Sequence, residues 1–245
     1  MLIFIEAIHH IESCWEFINA YPSSNVDSEL SVDGTAVSTS PSAHFFIVHE
    51  LISNGVYLWS CAPSFHGKFE KGIDYISEIN KFEADFRTHQ KIAEYFEYKL
   101  SVHSGSDKFS IYPIISRVAP CNIHIKTSGT SWLESLRLVS CYNQTLFCSI
   151  YNHARKCFTQ AQQLYDVSTC LDNIPLLANI NNNDFQLIFD CASARQLLYI
   201  TYGCILCERY FSLGISETIL SFEDEYYTCL EKHIAKHLEL FCTKK

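Results

Sequence analysis

The chain of 245 residues carries a formal net charge of −9, is 48% hydrophobic and 14% aromatic, and holds only 8 Gly and 6 Pro. That composition excludes collagen-like, low-complexity and disordered chains. No Lys/Arg cluster offers a nucleic-acid footprint, and no run of 18 apolar residues offers a transmembrane helix, so neither nucleic acid nor membrane is an expected partner.

Twelve cysteines would suit a disulfide framework in a short secreted chain, but the opening MLIFIEA has no basic region and meets an acid at Glu6. Most cysteines, among them Cys14, Cys148, Cys191 and Cys229, sit inside apolar patterns where a thiol packs as a small hydrophobe. A reduced, cytoplasmic protein is the expectation. The Cys204-Ile205-Leu206-Cys207 pair has no second pair and lies in an apolar run, so it reads as packing.

In chain order, Ile5, Ile8, Ile11, Trp15 and Ile18 recur at spacings of three and four and predict an amphipathic helix over 4–20. The run ELSV predicts a strand over 29–32 that opens into the loop Asp33-Gly34-Thr35. Pro41 and Ser42 start a helix over 43–54, which Gly55 ends. Residues 56–60 read as a nearly continuous apolar strand, as expected for a parallel strand buried on both faces. A loop over 62–72 follows, long enough to touch a substrate, with Lys71 as a carboxylate binder.

After a helix over 79–96, the stretch from Tyr98 to His103 alternates Leu100 and Val102 with Lys99 and Ser101, and Ser104-Gly105-Ser106-Asp107 breaks it. The grammar then repeats. Ile123 and Ile125 alternate with His124 and Lys126, and Thr127-Ser128-Gly129-Thr130 leads into a helical pattern from Trp132. Residues 144–165 predict another helix, and 166–196 read as a loop insertion. A last strand is expected over 197–203, and a helix over 221–240 with acids early and His233, Lys236 and His237 late. His233 and His237 lie at i, i+4, but without a neighbouring third ligand they read as a surface pair. Counting strand ends gives about five in one partial α/β domain over 1–245, against the eight that a closed (β/α) TIM barrel needs.

Residues at the carboxyl ends of parallel strands converge on one face, so His103, Asp107, Lys108, His124 and Lys126 are expected to meet there. Either His alone reads as a packed histidine. Two at equivalent strand ends, each followed by a Ser/Gly/Thr loop, read as a site for a divalent metal and an anionic, oxygen-rich substrate. His103, His124 and Asp33 are the expected metal ligands, and Asp107, Lys126 and Lys108 the expected catalytic groups. Ser104, Ser106, Thr127 and Thr130 join Lys71 as expected substrate contacts.

The segments VHSGSDKFSIYP and HIKTSGTSWLESLR, with SPSAHFFIVHEL, FHGKFEKGIDYI, ARQLLYITYG and DEYYTCLEKHIAKHL, resemble those of tagaturonate epimerases, running in order from about Ser28 to Leu238. Those enzymes of hexuronate breakdown interconvert tagaturonate and fructuronate. The resemblance implies a metal-dependent epimerase on a (β/α) barrel using Zn, Mn, Fe, Co or Ni. It also implies a longer relative, so that a homo-oligomer or a missing N-terminal part would complete the fold. Two positions depart from the family pattern: Gly34 stands where an acid follows Asp33, and Tyr199 where a His is usual. The same scaffold would also suit a noncatalytic binding module, or another sugar-acid isomerase or aldolase.

Overall fold

The computed structural model describes residues 2–21, 26–32, 37–120, 122–180 and 182–241. In chain order the regular elements are α1 (Leu2–Asn19), β1 (Glu29–Val32), α2 (Pro41–Ser53), β2 (Ser60–Pro63), α3 (Ile79–Tyr95), β3 (Lys99–Val102), α4 (Tyr112–Val118) and β4 (Ile123–Ile125). They continue as α5 (Ser131–Tyr142), α6 (Gln144–Ala161), α7 (Ala192–Ile200), α8 (Tyr202–Cys207), α9 (Arg209–Ser221) and α10 (Glu223–Phe241). The chain divides into two compact units. The first comprises Met1–Lys68, Ile76–His103 and Ile111–Lys126, and the second Phe69–Tyr75, Ser104–Ser110 and Thr127–Lys245.

The first unit is a four-stranded parallel sheet in the order β1-β2-β3-β4, with a helix in each crossover. Its register pairs Glu29 with Ser60, Ser60 with Lys99, and Ser101 with His124. Because side chains alternate across a strand, this register sorts the sheet into two unlike faces. Leu30, Cys61, Leu100 and Val102 share the apolar face, and all four are buried. Buried Val48, Leu51, Phe82, Phe86 and Ile115 from α2, α3 and α4 add to this unit's core. Glu29, Ser31, Ser60, Lys99, Ser101 and His124 share the other face, which is polar. Asymmetry of this kind gives a parallel sheet somewhere to do chemistry.

The strand expected over 56–60 begins instead at Ser60, because the ladder starts only where Ser60 meets Glu29 of β1. Val56 and Leu58 are buried ahead of it, while Tyr57 and Trp59 are exposed. Ser40 caps α2 by accepting a bond from the Ala43 amide at 3.2 Å.

The second unit is built on α5–α10. Leu133, Leu136 and Val139 of α5, Phe147, Ile150 and Phe158 of α6, and Leu197 and Leu198 of α7 belong to one continuous buried core. Val167, Ile174, Phe185, Ile188 and Phe189, from the stretch that reads as an insertion, belong to that core as well. The strand expected over 197–203 is absent: α7 covers Ala192–Ile200, and α8 begins at Tyr202. Its apolar run suits either state. Burying Ala194, Leu197, Leu198 and Ile200 together requires the helical period, and tertiary packing decides. Helices α4 and α9 carry no matching sequence expectation.

All ten described cysteines are free thiols. Among the described residues no helix is long and apolar enough to cross a membrane.

Candidate functional site

Two clusters of chemically active side chains stand out, each built within one unit. On the polar face of the sheet, Glu29 is the hub. Its Oε1 accepts from His103 Nε2 at 2.7 Å and from Lys126 Nζ at 2.8 Å. Its Oε2 accepts from His124 Nδ1 at 2.9 Å and from Ser60 Oγ at 2.8 Å. Parallel pairing brings these residues together: Glu29 and Ser60 are register partners, and the Lys126 amide extends the ladder to the Val102 carbonyl at 3.1 Å. Burial opposes ionisation of Glu29, but the bonds from Lys126, Ser60, His103 and His124 outweigh it and hold the carboxyl well below the usual carboxylate range. Ser31 Oγ lies 3.4 Å from His103 Nδ1, and Ser101 Oγ 3.3 Å from His124 Nδ1, which orients both rings.

In the second unit, Asp107 is the hub. It adopts φ 58°, a left-handed conformation uncommon outside glycine, and Ser104 beside it adopts φ 51°. Its carboxylate pairs with Arg195 through Oδ2, while Oδ1 lies 3.4 Å from His237 Nε2 and 4.0 Å from His233 Nε2. His237 Nδ1–H donates to the His233 carbonyl at 2.7 Å, and its Nε2 accepts the Asp107 amide at 3.2 Å. The tautomer is thus fixed from both sides. His233 Nε2 lies 2.8 Å from Thr130 Oγ1, and burial above all keeps the His233 imidazole uncharged, its pKa lowered to about 4. Asp107, His233 and His237 form a possible metal-binding triad, with one ligand atom from each lying within 4.8 Å of the others. Asp107 and His233 border a cleft of about 560 Å³ lined also by Arg137, Glu134, Lys232 and Lys236. Desolvation pushes the Glu134 carboxyl up from its ordinary value, against the pull of Arg137.

Of the five residues expected to meet, His103, His124 and Lys126 converge on Glu29, while Asp107 and Lys108 belong to the second unit. Lys108 is buried and donates to the carbonyls of Glu70, Ile73 and Ser106 at 2.9, 2.5 and 3.1 Å. Desolvation lowers its pKa to about 8, with Asp107 and Asp74 opposing. Lys71 donates to Ser104 Oγ at 2.7 Å, and Ser106 Oγ donates to the Thr127 carbonyl. Asp33 and Gly34 lie outside the described residues.

Tyr199 sits on α7 rather than at a strand end, its hydroxyl pressed against Gly129 so closely that a Cβ there would overlap it. The surface reading of His233 and His237 is also overturned: their side chains are only 10% and 6% exposed. The third candidate donor lacking in the local sequence is Asp107, 126 and 130 residues away. Glu29 was missed for a related reason, since it reads as the first residue of a short strand and only the register aims it at two imidazoles.

The profile of one protein family, described as UxaE: tagaturonate epimerase, matches residues 1–241. The chain is 35% identical over 240 residues to a tagaturonate/fructuronate epimerase of Thermotoga maritima, covering 98% of this chain and 50% of that protein. The native crystal structure of fructuronate-tagaturonate epimerase UxaE from Cohnella laeviribosi superposes with TM-score 0.95 at 39% identity, over 98% of this chain and 50% of that one. A glycerol complex of the same enzyme gives TM-score 0.93 at 39% identity, over 96% and 49%. The chain spans about half the length of these relatives.

Proposed function

Since this chain belongs to the UxaE tagaturonate epimerase family, we propose that it acts in the epimerisation of a hexuronate keto-acid, with the polar face of its sheet as the reacting surface. The observation that carries this reading is the convergence of His103, His124 and Lys126 on one ionised carboxylate, Glu29. In this reading the sheet is part of a (β/α) barrel whose polar face looks inward, a partial barrel domain running through the chain.

The residue types suit a divalent cation of borderline hardness: two imidazole nitrogens lie 2.7 and 2.9 Å from the two oxygens of one carboxylate. His103 Nε2, His124 Nδ1 and Glu29 would hold such a cation, which would take the place of the protons they now share. When bound, such a cation supplies Lewis acidity to a ketone and its neighbouring hydroxyl. Zn, Mn, Fe, Co and Ni all accept this donor set.

Fructuronate and tagaturonate differ at a carbinol carbon β to the ketone, so enolisation alone cannot invert it. Breaking the bond between the α and β carbons leaves an enediolate and an aldehyde, and rotating the aldehyde before re-addition inverts the centre. In this reading the β-hydroxyl proton released as the bond breaks passes to the Glu29–Lys126 pair and returns to the alkoxide on re-addition, while the Lys126 ammonium balances the developing oxyanion. Ser31 and Ser101 hold the two rings in place. The acid-base role expected of Asp107 passes to this cluster, because Asp107 is committed to Arg195; Lys108 serves to hold its loop. Lys71, Ser104, Ser106, Thr127 and Thr130 are proposed to act on the substrate side, through the loops they order.

A second reading, a binding module without turnover, draws on Tyr199, which stands where the resemblance to the family implies a His. Proton NMR of tagaturonate incubated with the chain and Mn²⁺ or Zn²⁺ separates the two. Fructuronate signals that vanish in His124→Ala support the epimerase. Substrate line broadening without conversion supports the binding module.

A further inference from the structure

We propose that Asp107, His233 and His237 form a second transition-metal site, distinct from the Glu29 cluster, which fastens the C-terminal helix to the 104–110 loop within the second unit. Its three donors come from two separate segments: a carboxylate on a loop and two imidazoles one helical turn apart on α10. An i, i+4 histidine pair presents both rings on one helix face, and an N₂O set of this kind suits Zn²⁺ or Co²⁺.

Four features argue for a site rather than for packing. All three side chains are nearly buried, at 6–10% exposure, where two imidazoles and a carboxylate must each find a partner. The His237 tautomer leaves a lone pair on Nε2 that accepts the Asp107 amide at 3.2 Å, and its Nδ1–H is anchored on a carbonyl as metal-bound histidines usually are. Asp107 is held in a left-handed conformation that a loop free to relax would avoid. Arg195 grips one carboxylate oxygen and leaves the other, Oδ1, toward the two imidazoles. Three protein donors leave coordination positions for water or an anionic oxygen arriving through the cleft, and Arg137 and Arg195 line its wall.

The proposal does not depend on the epimerase reading, and its test is built to keep them apart. In the full chain carrying His103→Ala with His124→Ala, Co²⁺ titration followed by visible absorption should still give one equivalent with the intense bands of a low-coordinate site. Adding His237→Gln should weaken that binding by about 10-fold to 100-fold. Absence of Co²⁺ uptake by the double variant, or unchanged uptake after His237→Gln, overturns the proposal. If His237→Gln does not fold, X-ray absorption of the Co²⁺-loaded double variant decides: scattering from two imidazoles is expected, and a shell without imidazole overturns the site.

Discussion

His103 Nε2 lies 2.7 Å from Glu29 Oε1, although the two residues are 74 apart in sequence and separated by β2. One carboxylate at the start of β1 thereby ties together side chains of β2 and β4 and of the segments that follow β3 and β4. Glu29→Gln keeps the shape but removes the charge and half of the accepting capacity. We expect it to weaken divalent-metal binding at this cluster by at least about tenfold and to depress turnover by a similar or larger factor. Calorimetry with Mn²⁺ against the parent chain checks the first, and equal affinities would mean that Glu29 is no ligand.

A buried chain of polar rings makes the first unit sensitive to acid. His44 Nδ1 lies 2.8 Å from His89 Nδ1, and Tyr98 Oη lies 2.6 Å from His44 Nε2. Burial first, and the neighbouring His89 second, lower the His44 pKa to about 3, while Asp85 opposes. The unfolded chain therefore binds this proton near pH 6.5 and the folded chain only near 3. Stability is complete above about 6.5 and declines between the two values, by up to about 1.4 kcal/mol per pH unit. Urea melts of the parent and of His44→Gln at pH 7 and pH 4.5 should differ in slope against pH, with the variant flatter. Parallel profiles would refute the assignment.

Lys108 is predicted to be structural. Its ammonium satisfies three carbonyls in a buried setting, so Lys108→Met strands those acceptors and should cost about 2–4 kcal/mol. Denaturant unfolding measures it. A folded Lys108→Met chain of parental stability with lost turnover would instead return Lys108 to the chemistry.

Gly129 and Tyr199 should behave as a coupled pair. Gly129→Ala places a Cβ on the Tyr199 hydroxyl and ring, and should destabilise by about 1–3 kcal/mol. In Gly129→Ala with Tyr199→Leu most of that loss should be recovered, giving a coupling energy of about 0.5–3 kcal/mol. A double-mutant cycle on thermal unfolding tests it, and strict additivity would show that the ring has room to move.

Local patterns in the sequence determined much of this protein. The short ELSV run and the alternation at Ile123 and Ile125 located β1 and β4, and apolar spacing, start and stop signals and charge placement located α1, α2, α3, α5, α6 and α10 to within a few residues. The repeated strand-histidine-loop grammar singled out His103 and His124, whose rings both meet Glu29. Family membership, too, was legible in short contiguous segments.

What only the tertiary structure decided are relationships between residues far apart in the chain. Glu29 became the hub through parallel register, which no local pattern encodes. Tyr199 lies on a helix because an apolar run carries no period of its own, and burial of Ala194, Leu197, Leu198 and Ile200 chose the helical one. Asp107 parted from His103 because the chain passes from the first unit to the second between His103 and Ser104, the latter in a left-handed conformation. There it meets His233 and His237, whose spacing showed a helix face but not what that face was to touch.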